Sequence, residues 1–127
     1  MKPGYYLDLA AQSLRMPIGA DLVLHEQPDP EAVMLDGRRL GQVIEITARR
    51  YRTPLAMPLM DLRIDKADLL RNLGVAESQA DTFHFRQAPS ENDLARMRDS
   101  MDAPFSRRGQ AHIDSVRYIA ECTSLVP

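Results

Sequence analysis

Thr53-Pro54-Leu55-Ala56-Met57-Pro58-Leu59-Met60-Asp61-Leu62 decides how the chain is read, because an apolar run without polar alternation arrives there at a carboxylate. A run of about eight apolar residues closed in this way is the pattern of a parallel strand covered on both faces. Pro54 suits the first position of such a strand. Pro58 lies inside it with no N–H to give to a ladder, which points to a bulge or an early end. In parallel α/β folds chemistry gathers where strands end, so the pattern places Asp61 at a candidate site.

Upstream of the run, Leu40, Val43, Ile44, Thr47, Ala48 and Tyr51 recur at helical spacing, while Arg38, Arg39, Glu45, Arg49, Arg50 and Arg52 fall on other faces. The spacing predicts a helix laid over a sheet, its last arginines set against the negative end of the helix dipole. The cluster Arg49-Arg50-Tyr51-Arg52 reads as a solvated helix face, with phosphate or partner binding as the other reading. Asp29-Pro30-Glu31 has the form of an N-cap followed by proline at the first helical position, opening a short helix that stops at Asp36-Gly37. Before it, Pro17-Ile18-Gly19-Ala20-Asp21-Leu22-Val23-Leu24 is expected to form a first strand, with His25-Glu26-Gln27-Pro28-Asp29-Pro30 as its loop. Residues 3 to 15 place Tyr6, Leu7, Ala10, Ala11 and Leu14 at the spacing of another helix.

Downstream, Asp65 to Leu73 reads as a short helix with Asp65 as its cap and Gly74 as its stop. Asp81-Thr82-Phe83-His84-Phe85-Arg86 alternates, which predicts a short half-exposed strand with both phenylalanines on one face. Ser90-Glu91-Asn92-Asp93 matches a capping box, and Leu94, Met97 and Met101 form the apolar side of the helix it opens. The last helix, from about Ser106 to Cys122, is expected to bury Ile113, Val116, Tyr118 or Ile119, and Ala120, with Cys122 a small buried apolar residue. Leu125-Val126-Pro127 reads as the opening of a further strand.

Composition sets the outer limits. A chain of 127 residues with 44% hydrophobic content suits one globular domain spanning 1-127. Sixteen basic and 18 acidic residues, well mixed to a net charge of -2, provide neither a broad basic field for nucleic acid nor a polybasic membrane segment. The single cysteine, Cys122, excludes an internal disulfide and a thiolate metal cluster within one chain. Without a signal peptide or an apolar run of about 18 residues, the expectation is a reduced, cytoplasmic protein. His84 and His112 read as surface histidines, and the seven methionines as core filler.

Helices separating short apolar stretches, with no internal repeat, predict an α/β arrangement of parallel strands. Three stretches in order, Arg15 to Glu26, Leu40-Gly41-Gln42-Val43 and Pro54 to Leu62, together resemble the start of the uroporphyrinogen decarboxylase superfamily, and the resemblance covers nearly the whole chain. That superfamily contains the decarboxylases of haem synthesis and the cobamide-dependent methyltransferases, both (β/α)8 TIM barrels. The resemblance therefore implies a partial barrel, roughly its N-terminal third. It also implies that Asp61, at the position of the acid that meets the substrate in the barrel mouth, is the catalytic residue, with His25 and Glu26 in the substrate-binding loop beside it. Met60-Asp61-Leu62 is nearer the methyltransferase pattern than the Ser-Asp of the decarboxylases. The loop after the first expected strand also lacks the arginines that decarboxylases use for a polycarboxylate.

The implied activity is methyl transfer with a corrinoid, in partnership with a corrinoid protein; porphyrinogen decarboxylation and a non-catalytic interaction module are the alternatives. The zinc ligands of the methyltransferase branch belong to the C-terminal half of that family, so zinc and a corrinoid are implied for the complete barrel and no cofactor for this chain. A sheet with unpaired edges also implies association with the remainder of a barrel or with a second copy. From the residues alone, Asp61 is equally readable as a cap on the following helix, and His25 and Glu26 as solvated loop residues.

Overall fold

A computed structural model describes residues 4–11, 19–53, 55–100 and 102–127. Among them the helices are α1 (Gly4–Ala11), α2 (Ala20–His25), α3 (Pro30–Met34), α4 (Gly37–Arg50), α5 (Arg63–Asn72), α6 (Glu91–Asp99) and α7 (Arg107–Cys122), with a 3-10 turn at Glu77–Gln79. The chain divides into two units, one made of residues 1–59 and 111–127, the other of residues 60–110.

In the first unit α4 is the organising helix. Asp36 caps its start by accepting the Arg39 N–H at 3.0 Å. Leu40, Val43, Ile44, Thr47 and Ala48 then form a continuous buried stripe, the face read from the sequence except for Tyr51, which ends the helix and is 46% exposed. Thr47 can be buried there because its hydroxyl donates to the Val43 carbonyl at 2.8 Å. The helix ends in a Schellman closure, with Arg52 N–H on the Arg49 carbonyl and Thr53 N–H on the Ala48 carbonyl. That closure forces Arg52 to φ 55°, a region that glycine adopts without cost. Val23 and Leu24 of α2, Val33 and Met34 of α3, Ala56 and Ile119 pack around the stripe.

Two glycines let α7 approach. A Cβ on Gly41 would lie 2.5 Å from Cδ1 and 2.9 Å from Cβ of Tyr118, and one on Gly37 would lie 2.4 Å from Cβ of Asp114. The Gly37-x-x-x-Gly41 spacing keeps both on one face of α4.

The second unit is built mainly from polar ties. Asp68 of α5 accepts the Ser106 N–H at 3.0 Å, and the Ser106 hydroxyl accepts the Gly109 N–H at 3.1 Å, which starts α7. α5 ends on Gly74 at φ 81°, with the same closure as α4: Gly74 N–H on Arg71 and Val75 N–H on Leu70. At α6 the capping box forms in full, Ser90 and Asp93 each accepting the other's backbone N–H.

Several expectations are overturned. The α/β class, and with it the partial (β/α)8 TIM barrel, fails because the described residues contain helices and no strand or sheet. The central run makes one isolated parallel bridge, Leu55 to Val126, in which Ala56 N–H donates to the Val126 carbonyl at 2.7 Å. Pro54 and Pro58 withhold two of the donors that a ladder needs, and the run leaves the core after Leu59, which still packs against it: Met60 is 81% and Leu62 77% exposed. The stretch expected as the first strand is instead α2 where it is described, from Gly19 on. Ala20, Val23 and Leu24 are buried at i, i+3 and i+4, a helical stripe that a short apolar run disguises. Residues 12–18 of the expected first helix and strand lie outside the described residues, as does Met101. Asp81 to Arg86 is turn and irregular chain, and Phe83 meets Phe85 edge-on at 5.1 Å instead of sharing a ladder face. In α7 the buried positions are Gly109, Ala111, Ser115 and Ile119; Ile119 is buried as expected, whereas Ile113 and Ala120 of the expected stripe are exposed. Cys122 is exposed.

Candidate functional site

Asp61 is held at the start of α5 in the second unit. Its Oδ1 accepts the Arg63 N–H at 3.1 Å, and its Oδ2 accepts from Nε of Arg108. The carboxylate is 6% exposed and the Arg108 side chain 16%, so the pair is shielded from water on most sides. Arg108 stands in the first turn of α7, where the helix dipole disfavours a cation. Asp61 supplies the charge that offsets this. The first turn is tied to α5 a second time through Asp68, which Arg71 approaches at 3.5 Å while donating to the Pro104 carbonyl at 2.5 Å. Gly109 eases the approach at that junction: a Cβ there would sit 2.9 Å from Oδ2 of Asp68.

Beside this pair lies a groove of about 410 Å³ lined by Arg63, Ala67, Ser78, Ala80, Asp81 and Arg108. Arg63 reaches the Asp81 carboxylate at 3.5 Å, and Lys66 donates from Nζ to the Asp81 carbonyl at 3.2 Å. The groove thus collects chemistry from the start of α5, the 3-10 turn, the chain just after it and the start of α7.

His25 and Glu26 belong to the first unit, at the end of α2. Nδ1 of His25 lies 2.8 Å from the Asp21 carbonyl and 3.4 Å from its carboxylate. Glu26 accepts from both terminal nitrogens of Arg50, at 2.7 and 2.8 Å. This fork holds the Glu26 carboxyl below its usual pKa and raises that of Arg50. The expected pair is therefore adjacent, but its acid is already engaged by the arginine cluster at the end of α4. Nearby in the same unit, Glu45 joins Arg49 at 2.7 Å and accepts the Tyr118 hydroxyl at 2.9 Å. The Arg49 bond chiefly lowers the Glu45 pKa, and the Glu45 bond raises that of Tyr118.

Reading the sequence for chemistry passes over Arg108, Arg63 and Asp81. One signal for Arg108 was present: Ser106-Arg107-Arg108-Gly109 puts two cations in the first turn of a helix, against its dipole, which calls for a carboxylate nearby. No spacing names Asp61 as that partner, since 47 positions separate them.

Among the described residues, no three His, Cys, Asp or Glu side chains converge as a metal set. No helix of the described residues is long and apolar enough to cross a membrane. Comparison with protein-family models, with curated proteins and with solved structures gives no match.

Proposed function

We propose that the chain is the N-terminal portion of a uroporphyrinogen decarboxylase-superfamily protein of the cobamide-dependent methyltransferase kind, working in the cytoplasm with a corrinoid protein. The observation that carries the reading is the Met60-Asp61-Leu62 step. Two apolar side chains 81% and 77% exposed flank a carboxylate that is 6% exposed and held by Arg108. Exposed apolar side chains on either side of a fixed acid suit a segment that meets further protein or substrate. The ordered resemblance of the flanking stretches supplies the chemistry. In this reading Asp61 orients the substrate, and the guanidinium behind it fixes the carboxylate in place.

One observation favours a second reading, a non-catalytic interaction module. Both Asp61 oxygens are already in use, one on the Arg63 N–H and one on Arg108, as in a helix cap with no further duty.

The test takes the product of the native gene, measures its intact mass and assays transfer of the methyl group of methylcobalamin to a thiol. A product heavier than 14.3 kDa that methylates the thiol, and loses that activity in Asp61→Asn, is the expected result. A product of that mass and no transfer would favour the interaction module. Activity unchanged in Asp61→Asn would remove the role given to this residue.

A further inference from the structure

The groove of the second unit carries an uneven charge. Its wall holds two guanidinium groups, Arg63 and Arg108, against one carboxylate, Asp81. Asp61 offsets Arg108 without lining the groove, and Lys66 brings a third cation to the Asp81 carbonyl at 3.2 Å. The two arginines are held differently. Arg108 is 16% exposed and anchored through Nε by Asp61, so its plane has one orientation. Arg63 is 59% exposed and meets Asp81 at 3.5 Å, a long, solvent-screened contact that an incoming anion can displace.

From this arrangement we infer that the groove binds a small carboxylate ligand. A planar guanidinium matches a carboxylate with two parallel N–H bonds, which an ammonium does not. Arg63 swings from Asp81 to the ligand, Arg108 stands fixed in the wall on its Asp61 anchor, and the Ser78 hydroxyl lies within the same wall as a donor. Ala67 and the buried Ala80 leave space and an apolar surface for a short carbon skeleton. A volume of about 410 Å³ accommodates a small molecule and no more than that. The inference stands whether or not the methyl-transfer reading does, because it uses residues of one unit and no family resemblance.

The experiment is a two-dimensional ¹⁵N NMR titration of the full chain at low ionic strength, first with succinate and then with inorganic phosphate. Succinate should produce saturable shifts of the Arg63 and Arg108 Nε–H signals and of the backbone amides from Ser78 to Asp81. Arg63→Gln should weaken that binding about tenfold, the loss of one charge-assisted contact. The variant keeps its fold, since Arg63 projects into solvent. Arg98→Gln on α6, outside the groove, should leave the affinity as it was. Shifts that never saturate, or an equal loss in Arg98→Gln, would mean general charge attraction and would overturn the site. Tighter binding of phosphate at the same signals would overturn its assignment to a carboxylate.

Discussion

The two units are stabilised by different physics. In the first, α4 lays Leu40, Val43, Ile44 and Ala48 against side chains of α2, α3 and α7, and the largest of them are almost wholly out of water. In the second, the buried apolar side chains among the described residues are Leu70 and Ala80, while Phe85, Leu94 and Phe105 are exposed. Its order comes from caps and ion pairs: Asp61 with Arg108, Asp68 with the Ser106 amide, and Ser90 with Asp93. Apolar burial is worth about 25 cal/mol per Å² and is not screened by ions, whereas exposed ion pairs contribute little and are screened. The first unit should therefore respond to packing mutations and the second to charge mutations.

The largest effect expected is at Leu40. Leu40→Ala opens a cavity at a fully buried position and should cost about 3 to 5 kcal/mol in a urea unfolding series. Leu94→Ala on α6 removes a side chain that is 39% exposed and should cost less than about 1 kcal/mol. Comparable losses at the two positions would erase the distinction between the units.

Next comes the shielded pair. Arg108→Met leaves the Asp61 carboxylate without its cation in a site closed to most solvent, which should cost about 2 to 3 kcal/mol. Adding Asp61→Asn should restore part of the loss, because the stranded charge is then gone. A double-mutant cycle with zero coupling would mean that the pair holds nothing together.

Gly41→Ala tests the first unit from the side of overpacking. Alanine gains about 1 kcal/mol of helix propensity, but its methyl group would lie 2.5 to 2.9 Å from Cδ1, Cγ and Cβ of Tyr118. Cβ and Cγ cannot swing aside as a chain end can. The clash, worth about 1 to 3 kcal/mol, should outweigh the propensity gain and lower the melting temperature.

How far these features were legible depends on their range in sequence. Caps and stops are local chemistry, and Asp29, Ser90 with Asp93, and Gly74 stand where the residues placed them, whereas Asp36, read as a stop, caps α4, and Asp65, read as a cap, lies inside the first turn of α5. The α4 stripe was legible too, being long enough to fix its period. Short apolar runs were not: Ala20 to Leu24 suits a strand or a buried helix turn equally well, and the residues after Pro54 read as a strand only if partner strands exist to accept it. Parallel pairing is non-local, and here it amounts to one bridge. Among site residues, Asp61 was found by its place after the apolar run, whereas its partner Arg108 depends on a long-range contact that no local pattern encodes.

The two helix closures sharpen the comparison on a smaller scale. α4 and α5 end in the same motif, yet the left-handed position is Arg52 in one and Gly74 in the other. Arg52→Gly should stabilise the chain by about 0.5 to 1 kcal/mol by relieving that strain, and Gly74→Ala should destabilise it by a similar amount. Thermal unfolding of the two variants should shift in opposite directions; a loss in Arg52→Gly would show that the side chain, not the backbone, matters there.

The smallest effect is confined to the start of α6. Asp93 accepts from Ser90 through both its hydroxyl and its backbone N–H and pairs with Arg96 at 2.5 Å, and these bonds, the Ser90 hydroxyl first, lower its pKa from 3.8 to about 2. A carboxyl depressed by folding binds its proton more readily in the unfolded chain. Its contribution is therefore complete above pH 3.8 and is lost as pH falls through about 2. Amide signals of Glu91 to Asp93 should thus report fraying of the first turn of α6 within that window. Ser90→Ala removes the strongest of the bonds and should move the Asp93 midpoint back toward 3.8. A wild-type midpoint already near 3.8 would mean that the capping box does not form in solution, and that α6 is held by its contacts with α5 alone.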